Sequence, residues 1–407
     1  MAEQVAVELD WPLGRLPAYL IVDDGAPVYN LDRWEFPDES HHERIPNAMV
    51  TRFADAMVPR GVRGKFTVIP YPMGLGRIDQ GLPDVDPGEL LEFTTLVSRD
   101  VAPYFDITPE ILTHLNAVDL DHGWAPLPYS ERRMISHHSE QSLTAYLRTA
   151  LDILANVGLE PTGITSPGDF GIEAEEMYAH AVARALWSRR GVTVPFFFLH
   201  VDRVSPVLSV RVWPLGEGSL GGPECVSVQV PSGAGDAFWP TKYARPATTD
   251  RLIDAAGEHG RLVSLVQNRS PVGLHTHWQS LFSNGSLQGL GQLEVLVDRL
   301  NSAFGDRIHW MRCSDLAVSA AVRASVELST RSADGGAVVD VDTRYPAGEF
   351  TLRVRGKSRA GAVRVNGRPL REAAAPSKDA YWSEGATVVL AWDLSPGHSR
   401  VEVQWDR

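Results

Sequence analysis

Up to about residue 320, short apolar, β-branched runs alternate with stretches of helical periodicity. The strand candidates are 18–23, 64–70, 110–114, 162–165, 194–201, 225–230, 273–277 and 308–311. Helical segments fall between them at 47–58, 88–101, 139–157, 172–190, 248–259, 287–304 and 315–321. In the third of these, Leu143, Tyr146, Leu147, Ala150, Leu151 and Leu154 recur at three- and four-residue spacing, one apolar face that ends at Gly158. Repeated strand–helix alternation predicts a parallel α/β sheet, and this number of units predicts a closed or nearly closed barrel.

Beyond residue 325 the pattern changes. Segments 326–329, 338–342, 350–355, 362–367, 387–392 and 400–404 read as strands with no helices between them, and Asn366-Gly367 supplies a hairpin turn. We therefore expect a barrel domain over 1–324 and a small antiparallel β-sandwich over 325–407. The module could bind sugar, mediate assembly into a homo-oligomer, or only cover an apolar barrel face.

Charge narrows the partners. The formal net charge is −13, and because residues 326–407 are nearly balanced, the acidic excess falls on the barrel. Such a surface repels phosphate backbones, so no nucleic-acid partner is expected. No run is long and apolar enough for a membrane span, and Met1-Ala2-Glu3-Gln4 opens no basic-then-apolar leader. Cys225 and Cys313 make neither a disulfide framework nor a cysteine zinc site. These features predict a cytoplasmic protein acting on a small-molecule or carbohydrate substrate.

Chemistry in a parallel barrel gathers at the C-terminal ends of its strands. There the sequence places Asp23-Asp24-Gly25, His114 and His275-Thr276-His277. Adjacent carboxylates diverge on an extended chain, unless a turn such as that at Gly25 swings one beside the other. An i, i+2 histidine pair faces one side of a strand, which suits two ligands on one ion, or a ligand and a general acid. Taken alone, Asp-Gly is a common turn, and a single histidine is more often structural. Trp239, Trp278 and Asn284 come after strands as candidate substrate contacts, as does Arg203, which could also partner a catalytic carboxylate.

The strand-Asp-Asp-Gly, Gly64-Lys65-Phe66-Thr67-Val68-Ile69-Pro70, the His-bearing third strand, Ser166-Pro167-Gly168 and the late Leu274-His275 together resemble the polysaccharide deacetylase (NodB-homology) superfamily. The resemblance spans roughly residues 15–325. It implies a distorted (β/α)7–8 barrel and metal-dependent hydrolysis of an amide, usually with zinc. By the same resemblance Asp23 is the base, Asp24 and His114 are metal ligands, and His275 is the late catalytic histidine. Two departures stand out. Val118 occupies the place of the family's second metal histidine, and no arginine precedes Ser166-Pro167-Gly168. We assign the vacant metal position to His277, with His122 and His138 as the other choices. Two readings stand against the deacetylase: a glycosidase-like or carbohydrate-binding barrel using acids such as Asp236, Asp202 or Glu110, and a non-catalytic barrel of the same fold.

Overall fold

Leu16–Asp23 is buried at every position and forms the first barrel strand, β1. A strand enclosed on both faces needs no polar alternation, which is why the run reads as uniformly apolar until its closing aspartate. In this computed structural model, which describes residues 5–37, 40–215, 225–333, 335–356 and 358–406, six parallel strands come after it. They are β2 (Gly64–Thr67), β3 (Phe105–Thr108), β4 (Gly163–Thr165), β5 (Phe196–Phe198), β6 (Val226–Gln229) and β7 (Val272–His277).

Strands β7-β1-β2-β3 form one parallel ladder and β4-β5-β6 another. The seams between ladders are thin. Isolated bridges Ile107↔Pro161 and Glu110↔Thr165 join β3 to β4, and the Gly233 amide reaches the Gly273 carbonyl at 2.9 Å between β6 and β7. Among the described residues the result is an α/β fold, a distorted barrel of seven parallel strands in chain order, with the strand Ile308–Trp310, expected at 308–311, also paired to β1. Gly25 permits the close passage of the chain just after β1, since a Cβ there would lie 1.9 Å from the Thr67 carbonyl oxygen.

Helices cover the barrel where the periodicity predicts, with Ala48–Met57, Pro87–Leu96, Glu140–Asn156, Glu175–Arg190 and Gln288–Phe304 packed outside it. Glu140–Asn156 starts at a reciprocal Ser139–Ser142 capping box and buries the face from Leu143 to Leu154. Two expectations need correction. The third strand is Phe105–Thr108, not 110–114, because Pro109 ends the ladder and Ile111 and His114 adopt φ of 48° and 71°. The helix expected at 248–259 is a set of turns in which the Asp254 carboxylate accepts the amides of Glu258 and His259. A helix forms later, at Arg261–Gln267, beyond Gly257 and Gly260, whose φ values are 72° and 122°. No helix among the described residues is long and apolar enough to cross a membrane.

The chain divides into two units, Ala18–Gly305 with Trp310–Ala317, and Met1–Pro17 with Asp306–His309 and Val318–Arg407. Among the described residues the second contains two sheets of five strands each, antiparallel throughout except that Arg371–Glu372 pairs parallel with Ala380–Glu384. One consists of Ala6–Asp10, Ala347–Arg355, Thr387–Leu394, Ala380–Glu384 and Arg371–Glu372. The other is Glu327–Ala333, Gly336–Thr343, Gly397–Trp405, Ala360–Val365 and Arg368–Pro369. Asn366 and Gly367, at φ 51° and 78°, make the hairpin turn their sequence signals. Ala6–Asp10, which the sequence pattern places within a barrel domain over 1–324 without assigning it a strand, instead pairs antiparallel with Ala347–Arg355 along its whole length and belongs to the second unit.

Candidate metal centre and active site

Parallel registry decides which side chains meet inside the barrel. His277 lies opposite Asp23 and His275 opposite Ile21, and Ile21 is in turn opposite Lys65. These positions share one face of the sheet. Lys65 is fully buried there. Its ammonium donates to Asp23 Oδ1, to Thr165 Oγ1 at 2.6 Å and to Thr67 Oγ1 at 3.0 Å, with the Phe198 ring 5.1 Å away. The other carboxylate oxygen, Asp23 Oδ2, lies 2.9 Å from His275 Nε2. Burial works to raise the Asp23 carboxyl, but the charges of Lys65 and His275 outweigh it and hold it well below the usual carboxylate range. His275 Nδ1 is buried with no hydrogen-bond partner.

One residue further on, the chain turns sharply. Asp24 sits at φ 63°, and its amide donates to Glu110 Oε2 at 2.9 Å. The turn brings its carboxylate to the loop after β3, where His114 Nδ1 is 3.1 Å from Glu110 Oε1 and 3.5 Å from Asp24 Oδ1. One ligand atom from each of Asp24, Glu110 and His114 falls within 4.8 Å of the others. Asp24 and Glu110 are almost completely buried. Burial and the neighbouring Glu110 carboxylate raise the Asp24 carboxyl. Burial disfavours charge on His114, but Glu110 and Asp24 prevail and lift it to about 10.

His277 approaches from β7. Its Nδ1 is 2.8 Å from Asp236 Oδ2, which leaves Nε2 for another partner. Burial opposes its protonation, yet Asp24 and Asp236 raise it to about 9. A carboxylate behind an imidazole is the arrangement that orients metal-ligating histidines. Asp23, His275 and His277 also present ligand atoms within 4.8 Å of one another.

Charge separates the two sets. Beside Asp23, the Lys65 ammonium already supplies a buried cation. Asp24 and Glu110 face each other, and the cation their oxygens hold is the raised His114 imidazole, 3.5 Å and 3.1 Å from them. Two carboxylate oxygens and an imidazole nitrogen match the donors that divalent ions take, the ion replacing the proton that His114 otherwise holds. Of the two sets, Asp24, Glu110 and His114 is the one without a lysine already in place, and so the stronger candidate for a metal.

The remaining sequence candidates divide. Trp239 is half-buried with its ring 4.9 Å from that of His277, and the Lys242 ammonium lies 3.3 Å from its centre. Lys242 is itself fully buried and bonded to Asp32. Trp278 is not a rim residue. Because His277 points inward its neighbour points outward, and Trp278, 1% exposed, packs at 5.1 Å and 5.8 Å on Phe66 and Phe53. Trp278→Phe should therefore cost about 1–2 kcal/mol in denaturant unfolding and leave KM for any substrate unchanged. A raised KM at unaltered stability would return it to the binding surface.

Asn284 spends its amide on the backbone, accepting from His42 N at 2.7 Å and donating to Ser40 O at 3.2 Å, so it ties two loops together. Arg203 does not partner Asp23; Lys65 does. The Arg203 guanidinium lies over Gly235 beside a cavity of about 650 Å³, lined also by His200, Asp202 and Arg211. His122 is exposed and bonded to Asp119, and His138 pairs with Ser142 near a helix start, so neither belongs to a metal set. The residues that the sequence pattern undervalues are Lys65, Glu110 and Asp236. Glu110 and His114 stand four apart, a spacing that could have flagged them as a pair.

No protein-family model matches the sequence, and no curated protein does. Solved structures with a similar chain path include a provisional glycoside hydrolase/deacetylase from Parabacteroides distasonis, with 9% identity over 85% of this chain and 82% of that one, at a TM-score of 0.42. An alpha-L-fucosidase matches at 12% identity over 98% of each chain, with a TM-score of 0.35. An endo-beta1,6-glucanase matches at 7% identity over 100% of this chain and 96% of its own, with a TM-score of 0.37. At such scores none of them carries an argument about chemistry, which rests on the side chains.

Proposed function

We propose that the protein is a metal-dependent hydrolase that cleaves the amide of an N-acylated amino sugar or another small amide-bearing metabolite, in the manner of the polysaccharide deacetylases it resembles. The observation that carries this reading is the convergence of Asp24, Glu110 and His114 on one buried point. These three would hold a divalent ion, zinc being the one the resemblance implies; His277, assigned from the sequence to the vacant metal position, groups instead with Asp23 and His275, where Asp236 steers it. Bound there, such an ion supplies Lewis-acid polarisation of the acyl carbonyl and of the attacking water.

The chain's own groups move the proton. The resemblance makes Asp23 the base, but both its oxygens are engaged and Lys65 keeps it ionised, which makes it a weak proton acceptor. Its work is to fix His275. With Nε2 held by Asp23, Nδ1 is the atom left to take a proton from water and return it to the departing amine. Trp239, beside His277, offers an aromatic edge for a sugar ring.

A glycosidase is less well served. Its two carboxyl groups flank a sugar ring about 5–9.5 Å apart, whereas Asp24 and Glu110 both close on the same imidazole. The reading is tested by assaying acetate release from N-acetylated amino sugars and small acetamides, before and after chelation. Activity should disappear with the chelator and return with zinc or manganese. Turnover that persists after the metal is stripped would refute it.

A further inference from the structure

We infer that Glu131 is a positioning residue that holds the His114 loop in ligating form; the inference rests on the reading of Asp24, Glu110 and His114 as a metal site. Glu131 comes directly after a two-stranded hairpin, Asn116–Asp119 with Ala125–Ser130, and opens the short 3-10 helix Glu131–His137. It is completely buried. Four donors converge on its carboxylate. Oε1 accepts from the Leu112 amide at 3.2 Å, the Thr113 amide at 2.8 Å and the Tyr146 hydroxyl at 2.8 Å. Oε2 accepts from the His114 amide at 2.7 Å.

Three consecutive amides in a segment that has left the sheet would otherwise be buried without partners, and a carboxylate is the side chain able to take all of them. The segment is not relaxed. Ile111 at φ 48° and His114 at φ 71° occupy the left-handed region that non-glycine residues avoid, so the surroundings must enforce their shape. The carbonyls of Leu112 and Thr113 are tied to the amides of Tyr71 and Met73, which anchors the other side of the same peptides. The shortest of the four contacts to Glu131 is at the residue that carries the ligand atom. Glu131 touches neither substrate nor ion; it acts through the backbone of His114.

Glu131→Gln tests this, because glutamine keeps one oxygen and sets an NH2 group against an amide N–H. Titration of chelated, metal-free protein with Zn2+ or Mn2+ should show affinity reduced about ten- to a hundredfold in Glu131→Gln. Tyr146→Phe, which removes one donor and leaves the three amides bonded, should stay within about twofold. A residue that only stabilises the fold would lower the unfolding midpoint without changing the affinity of the folded fraction. Equal affinity in wild type and Glu131→Gln overturns the inference. A wild-type protein that binds no metal overturns the proposed function instead. In that case, or if the variant does not fold, amide hydrogen exchange of the wild type decides: residues 112–114 should be protected like Phe105–Thr108. Exchange as fast as an open loop would remove Glu131 from the role.

Discussion

Asp24→Asn should leave a folded protein that no longer binds a divalent ion and whose kcat/KM is at least about a thousandfold lower, some 4 kcal/mol of transition-state stabilisation. The substitution keeps the shape of the side chain and removes its charge. Asparagine also tolerates the left-handed backbone that Asp24 adopts at φ 63°. In the metal-free protein Asp24 faces Glu110, and burial together with that like charge disfavours its ionised form. Neutralising it relieves the contact, so the apo-protein should be as stable as wild type or slightly more so. The pairing of lost function with retained stability is the signature to look for: strain is placed where an ion would relieve it. A variant that unfolds more easily and binds metal as before would mean that Asp24 is a structural cap.

Lys65→Met should be the most destabilising single change inside the barrel, costing about 3–5 kcal/mol in urea unfolding. The ammonium answers the Asp23 carboxylate and two threonine hydroxyls in a space closed to water. Methionine fills similar volume but leaves a buried carboxylate supported only by His275 and a long 3.4 Å hydrogen bond from the Thr67 hydroxyl. Adding Asp23→Asn to Lys65→Met should recover most of the loss, because the remaining amide is neutral. If the single variant costs less than about 1 kcal/mol, water reaches Asp23 and the pair is not a sealed anchor.

Much of the architecture is legible because it rests on repetition. The uniformly apolar run before Asp23, the 3.6-residue stripe from Leu143 to Leu154 and the Asn366-Gly367 turn each dictate a local structure that tertiary contacts reinforce. At the site, Asp23, Asp24, His275 and His277 could be read at strand ends because parallel registry gathers the C-terminal ends of the strands at one mouth. The remainder depends on contacts the pattern does not encode. A lysine inside a short strand reads as solvated, yet Lys65 is the counter-charge for a carboxylate 42 positions away. Pro109 ends β3 early, so Glu110 and His114 belong to a loop whose shape is set by Glu131 and the left-handed backbone rather than by a sheet. Trp278 was readable from alternation alone, since an inward His277 obliges an outward neighbour. Asn284 was not, because its partners near residue 40 lie far along the chain.

Crystals equilibrated with Zn2+ or Mn2+ and measured at the metal's absorption edge put the central claim to its most direct test. The account predicts an anomalous peak at about 2.0–2.3 Å from oxygens of Asp24 and Glu110 and from a nitrogen of His114. A peak between Asp23, His275 and His277 instead, or none at either set at saturating metal, would contradict it.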